Sequence, residues 1–275
     1  MKKTFLILSV SLTCACSFKQ VAVKSMAAIM TDAMPVYLQE EDIQTAKETM
    51  LPAVKMSESF LESDPDNQKL LELTAKGYCG YSFAFLEDKD NKRSGAMYKK
   101  GLTYSTRLLE NKNIIAEKKI NFNNIKFKDT PAVFWHAFCL AGFVKLNLND
   151  PSALSRISGL EKIIETLIEI NPSYYYNASY ALKGAILARS NILGGNLQQS
   201  KHSFEMSLKG EGAKFKINKL LYAKTYAQAV LDRELFEKLL NEILDAPLQL
   251  PQENMLNIVA EQKAQKLLGE IDEIF

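Results

Sequence analysis

Leu160-Glu161-Lys162-Ile163-Ile164-Glu165-Thr166-Leu167-Ile168 places apolar side chains at i, i+3, i+4, i+7 and i+8. That spacing draws one stripe along an α-helix, because side chains three and four positions apart share a face. Upstream, Asp150 supplies a cap and Pro151 suits the first turn, so the helix is predicted to open there. It stops at Asn171-Pro172, since the residue before a proline is pushed out of the α region.

The same stop recurs at Asp64-Pro65-Asp66-Asn67, closing a helix predicted from about Ile43 with Leu51, Val54, Phe60 and Leu61 among its apolar positions. Helical patterns also cover Leu70 to Phe85, Ser94 to Asn111, the stretch opened by Pro131, Tyr175 to Asn191, Leu197 to Leu208, Leu220 to Ala229, Arg233 to Asp245 and Pro251 to Phe275. Polar Glu87 to Arg93 reads as a loop, and lysine- and asparagine-rich Asn113 to Asp129 as a connector. Strand-like alternation is hard to find.

After the Gly194-Gly195 turn, Leu197, Ser200, Phe204, Ser207 and Leu208 fall where a tetratricopeptide repeat wants large, small, aromatic, small and large residues. Small side chains let two helices approach while the aromatic ring fills the groove between them. At the Pro172 hairpin Leu160 and Leu167 occupy the small positions, so the repeat is degenerate. The predicted fold class is therefore all-α: degenerate tetratricopeptide-like helical hairpins stacked into a compact solenoid. The last helix either caps that solenoid, the default, or joins a subunit interface.

The N-terminus carries a different signal. Lys2 and Lys3 precede an apolar run from Phe5 to Leu12 and then Thr13-Cys14-Ala15-Cys16-Ser17. A basic head, an apolar core too short to span a bilayer and a small residue before a cysteine read as a lipoprotein export signal. Residues 1–15 are the predicted signal peptide, Cys16 the lipidation site, and 16–275 a single helical domain. An unprocessed anchor and a Cys14-x-Cys16 metal pair are the weaker readings, the latter because no further Cys or His lies near. The mature protein is expected outside the cytoplasm, anchored by lipid only, since no later segment offers eighteen uninterrupted apolar residues.

Removing Lys2 and Lys3 leaves 32 basic against 32 acidic groups, which gives no electrostatic case for nucleic acid. Cys79 and Cys139, each in small or apolar surroundings, are expected as buried free thiols; a disulfide between them is permitted by the compartment but not demanded.

No catalytic constellation emerges, and neither a metal nor a cofactor is expected. His136 lies beside Trp135 in an apolar run and reads as a hydrogen-bonded, partly buried side chain; His202 reads as solvated. Gly210-x-Gly212 lacks the strand and third glycine of a dinucleotide turn, and Asp88-x-Asp90 lacks the glycine and glutamate of a calcium loop.

Two aromatic groups stand out. Tyr78, Tyr81, Phe83 and Phe85 lie on one predicted helix, with Tyr78, Tyr81 and Phe85 sharing a face beside Gly77 and Gly80, and Phe134, Trp135 and Phe138 lie on another. Such stripes are ordinarily core. The ligand alternative makes them the walls of an apolar cleft, with Tyr175, its neighbours Tyr174, Tyr176 and Tyr180, and Asn177 adding polar contacts at the mouth.

Across the chain, Cys16-Ser17-Phe18-Lys19-Gln20-Val21-Ala22-Val23, Leu51-Pro52, Asp64-Pro65-Asp66-Asn67, Gly77-Tyr78-Cys79-Gly80-Tyr81-Ser82-Phe83-Ala84, Pro131-Ala132-Val133-Phe134-Trp135 and Leu193-Gly194-Gly195 occur in order. Phe204-Glu205, Asn257-Ile258-Val259-Ala260-Glu261-Gln262-Lys263-Ala264, Leu267-Leu268 and Ile271-Asp272-Glu273-Ile274-Phe275 follow. The ordered set resembles the TatT component family associated with tripartite ATP-independent periplasmic (TRAP) transporters. The resemblance implies a helical periplasmic lipoprotein, not an enzyme, that works beside a TRAP substrate-binding protein. It further implies a homo-oligomer, a trimer, whose protomers enclose an apolar cleft for a small hydrophobic ligand. A tetratricopeptide-like scaffold for envelope assembly is the alternative; a helical cell-wall hydrolase is remote, for want of paired acids in a distinctive motif.

Overall fold

The computed structural model describes residues 19–275; Cys16 and the predicted signal peptide lie outside the described residues. The elements are α1 (Lys2–Gln39), α2 (Ile43–Leu61), α3 (Gln68–Tyr81) with a π-helical turn (Ser82–Leu86), α4 (Asn91–Asn111), β1 (Ile115–Ala116), β2 (Lys119–Ile120) and α5 (Thr130–Lys145). Then follow α6 (Pro151–Leu154), α7 (Ile157–Ile170), α8 (Tyr174–Leu187), α9 (Leu197–Ser207), α10 (Lys216–Leu221) with a second π turn (Tyr222–Ala227), α11 (Arg233–Asp245), α12 (Asn254–Gly269) and α13 (Ile271–Ile274). The fold is all-α, with one two-residue antiparallel hairpin inside the connector.

Helix starts follow a common rule. Asp42, Asn67, Asp90, Asn196 and Asp232 each accept backbone N–H groups of the following turn, capping α2, α3, α4, α9 and α11. Each cap satisfies donors that no intrahelical carbonyl can reach and contributes about 1 kcal/mol. Asp150 also caps a helix, but only the single turn of α6, and the Leu160 stripe belongs to the separate α7. There Ser155 Oγ turns back to the Ser152 carbonyl at 3.0 Å, one of the local bonds by which serine competes with helix propagation.

Packing runs between sequence neighbours: α2 on α3, α3 on α4, α4 on α5, α5 on α7, α7 on α8 and α8 on α9. α12 then packs on α10 and α11 and also touches α2 and α1, so the last long helix meets the first hairpin. Short connections and the 3.6-residue stripes account for this order, since each helix buries its apolar face against the next. Phe204 is fully buried and stacks on Tyr222 at 4.7 Å.

Cys79 and Cys139 are joined in a disulfide linking α3 to α5. This corrects the expectation of free thiols. Neither residue's surroundings alone could reveal that the two helices cross with those positions facing. His136 is buried and its Nδ1 pairs with Ser105 Oγ at 3.0 Å, while His202 is exposed.

Lys19–Gln39 is, by length and composition, apolar enough to cross a membrane, with mean hydropathy 1.2, although Lys24 and Asp32 interrupt its apolar run. Val23, Ala27 and Leu38 of this stretch are buried against the body, whereas Val21, Ile29 and Val36 are exposed.

Candidate functional site

Phe83 lies four residues after Cys79, which is bonded to Cys139 of α5, and so shares the face that meets α5, its ring 5.7 Å from Phe138. Phe138 lies 5.4 Å from Trp135, Trp135 lies 5.4 Å from Tyr175, and Tyr175 lies 5.3 Å from Phe215 at the entry to α10. Edge and tilted ring contacts of this kind add about 0.5–1.5 kcal/mol each beyond area burial.

Two neighbouring apolar cavities flank this aromatic line. The larger, about 210 Å³, lies among the first π turn, α4, α5, α7, α8 and the second π turn; Phe83, Phe138, Gly142, Leu160, Leu182, Ile186 and Leu221 are in its wall. The smaller, about 40 Å³, is walled by Gly80, Phe134, Trp135, Tyr175, Phe215, Asn218 and Leu256. Phe83, Phe138, Leu182 and Leu221 belong to both walls, so the cavities are separated by shared side chains rather than by a helix. For scale, an apolar cavity of about 150 Å³ stays dry and accepts benzene.

The structure brings together Phe134, Trp135, Phe138 and Tyr175 from the predicted set. Tyr78, Tyr81 and Phe85 lie outside these walls. Tyr78 stacks on Tyr104 at 6.2 Å and donates its hydroxyl to Glu58 Oε2 at 2.7 Å, and Tyr81 packs on Phe85 at 5.1 Å. The cavity walls take in Gly80 and Phe83, three residues apart on the face of this helix that meets α5, rather than the Tyr78, Tyr81 and Phe85 face. Asn177 donates to the Lys209 carbonyl at 2.7 Å and borders an open groove with Tyr176.

Residues missed from sequence include Leu182, Phe215, Asn218 and Leu221. They lie on α8, on α10 and at its entry, and reach the walls only through packing between distant segments, so no local signal marked them.

Beside the smaller cavity the start of α8 is left-handed: Tyr175, Tyr176 and Asn177 have φ of 48°, 58° and 62°. Such conformations cost about 1–2 kcal/mol per non-glycine residue and persist only where the surroundings hold them. Here Asn218 Nδ2 donates to the Tyr176 carbonyl at 2.8 Å and to those of Ser207 and Gly212, both at 3.1 Å. Gly212 is required, because a Cβ there would lie 2.0 Å from the Ser207 carbonyl oxygen.

On the far side of Tyr175, its hydroxyl donates to Glu253 Oε2 at 2.7 Å. Burial pushes the Glu253 carboxyl up to about 7, against the opposing pull of that hydroxyl and of Lys76. Lys76, itself held below its ordinary value by burial, lies 5.0 Å over the Trp135 ring and 5.8 Å over Tyr175.

At the rim of the larger cavity Glu87 is buried, accepts from Tyr98 and pairs with Lys145 Nζ at 2.9 Å. Arg189, across the same opening, binds Glu161 Oε1 at 2.6 Å. These polar groups are paired with one another, which leaves the interior apolar. Among the described residues no group of three or more His, Cys, Asp or Glu could hold a metal ion.

A search of curated proteins finds no match to this chain. The model of one family, the TRAP transporter T-component, matches residues 39–275, a span that takes in every wall residue of both cavities. With most of its length matched, the chain belongs to the TRAP transporter T-component family.

Proposed function

We propose that the protein is the lipid-anchored envelope subunit of a TRAP transporter that docks the substrate-binding protein and holds a small hydrophobic ligand in its apolar cleft. The observation that carries this reading is the 210 Å³ cavity, walled by apolar side chains from several helices inside a T-component chain. Well-packed interiors leave few voids larger than a water molecule, and a ligand is the simplest reason to keep one. The fold is read as tetratricopeptide-like, with the Gly195 to Leu208 pattern and the paired packing of α8 and α9 in support.

The Cys79–Cys139 disulfide supports an oxidising, periplasmic compartment, and the Cys16 signal supports lipid anchoring there. Exposed Val21, Ile29 and Val36 on α1 support a closed homo-oligomer, a trimer in this reading, by offering apolar surface to another protein.

The test is to fill the cleft. Ala185 is partly buried in the cavity wall, and Ala185→Phe should leave the helical content unchanged while abolishing retention of small apolar molecules, read by native mass spectrometry with organic extraction. If wild type and variant carry the same apolar cargo, the cleft is not the ligand site. Co-purification of a solute-binding protein by wild type tests the docking half independently.

A further inference from the structure

The connector of residues 112–129 carries a charge opposite to that of the rest of the chain. It holds five lysines, Lys112, Lys118, Lys119, Lys126 and Lys128, against Glu117 and Asp129, whereas residues 16–275 as a whole carry 32 basic and 32 acidic groups. Outside the connector the balance is therefore 27 basic to 30 acidic, so a segment of net charge +3 is set in a body of net charge −3. Asp129 is buried and pairs with Lys112 at 3.1 Å, which takes one charge of each sign off the surface. Lys118, Lys119, Lys126 and Lys128 are exposed, and among the described residues none of them forms an ion pair.

An aromatic ring stands among these lysines. Phe127 is 67% exposed, against 36% for Phe275, the other phenylalanine among the exposed apolar side chains. The turn that carries it builds this exposure. The Asp129 carboxylate accepts from the Lys126 backbone N–H at 3.2 Å, and Thr130 Oγ1 donates to the Phe127 carbonyl at 2.7 Å. Because Asp129 is itself held by Lys112, the Phe127 backbone cannot swing inward without disturbing a buried ion pair. Lys126 and Lys128 flank the ring in sequence, and the β1–β2 hairpin carries Lys118 and Lys119. Asn124 Nδ2 donates to the Asn113 carbonyl at 2.7 Å, which ties the two halves of the connector together.

We infer that the 112–129 connector is a second membrane contact, in which Phe127 enters an anionic lipid surface and Lys118, Lys119, Lys126 and Lys128 meet its headgroup phosphates. This builds on the reading of the protein as lipid-anchored at Cys16. A lipid tether limits the distance from the bilayer but leaves open which face meets it. The separation of charge sets that face, since an anionic surface attracts the connector and repels the acidic remainder. A bilayer also receives a protruding ring without a matching pocket, while lysine stems lie along the boundary and their ammonium groups reach the phosphates; this favours lipid over an acidic protein as the partner.

The test uses the whole lipidated chain carrying Phe127→Trp, reconstituted into vesicles of phosphatidylcholine with brominated acyl chains, with or without phosphatidylglycerol. Bromine quenches an indole only on contact. Trp135, the one native tryptophan, is 5% exposed and lies in the interior, so the wild-type chain supplies the unquenched baseline.

With phosphatidylglycerol present the added indole is expected to lose roughly half of its emission, and without it almost none. Lys118→Ser, Lys119→Ser, Lys126→Ser and Lys128→Ser together, with helical content unchanged by circular dichroism, should remove the quenching, because each lysine strengthens binding to an anionic surface about fivefold. Equal quenching in both kinds of vesicle overturns the role of the lysines. Absence of quenching in both overturns the membrane contact; if the four serines then also abolish co-purification of a solute-binding protein, the connector docks an acidic protein instead. Flotation of the wild-type chain with pure phosphatidylcholine vesicles reads the Cys16 anchor separately, so failure of the anchor and failure of the connector contact are told apart.

Discussion

Tyr175 and Glu253, 78 positions apart in the chain, are joined by a hydrogen bond of 2.7 Å from the phenolic hydroxyl to Oε2, which ties the left-handed start of α8 to the entry of α12. The bond holds a tyrosine whose ring is part of the smaller cavity's wall. Its acceptor is a buried carboxyl, so the tie depends on pH.

Glu253→Gln keeps an acceptor for Tyr175 and removes the charge. Because burial raises the carboxyl to about 7, above its value of 4.5 in the unfolded chain, the folded state holds the extra proton. The stability this gives is fully present below pH 4.5 and is lost as pH rises through 7. Relative to wild type, the variant should gain on the order of 2–3 kcal/mol at pH 8 and nothing at pH 4.5, measured by urea unfolding at both pH values.

His136 provides the opposite slope. It is buried at 5% exposure, and burial, with a smaller contribution from the Arg156 charge, lowers its pKa to about 4. The unfolded chain binds a proton near 6.5 that the folded state refuses until about 4, so stability is lost as pH falls through that window. His136→Gln should remove up to about 3 kcal/mol of this acid dependence, read as the difference between the two unfolding curves at pH 4.5 and pH 7.5.

The disulfide closes a loop of 60 residues between α3 and α5. Cross-linking a loop of that size restricts the unfolded chain by about 4 kcal/mol on the entropic account. Cys79→Ala with Cys139→Ala should lower stability by roughly that amount while preserving the helical spectrum. An unchanged denaturation midpoint would show that the cross-link contributes nothing.

Gly142 packs beneath Tyr98, and a Cβ at that position would meet the ring at 2.3 Å. The ring cannot yield easily, because Tyr98 is 1% exposed and its hydroxyl is held by Glu87. Gly142→Ala should cost about 1–3 kcal/mol by overpacking, with the loss visible in thermal unfolding. A neutral outcome would mean that the wall of the larger cavity is soft enough to shift into the void.

Much of the fold was legible in the chain. Helix α7 followed from the Leu160 to Ile168 stripe, α2 from Ile43 to its Asp64-Pro65 stop, and α9 from the small and aromatic positions between Ser200 and Ser207. These features are local: an apolar stripe, a cap and a proline act over one or two turns, and the sequence records them directly. The ordered motifs along the chain likewise led to the family that the match over residues 39–275 bears out.

What required the tertiary structure was every relation between distant segments. Cys79 and Cys139 pair because α3 and α5 cross at those positions, and no periodicity encodes a crossing. Phe83 lines the cavities and Phe85 does not because the face of α3 turned to α5 is the one that carries Cys79 and Gly80, and packing decides which face meets a neighbour. Asn218 enters the cavity wall because three carbonyls from the starts of α8 and the α9–α10 connection converge on one amide. Local helix formation is decided by residues a turn apart, whereas a cleft is the space left between helices, and its walls exist only once those helices have packed.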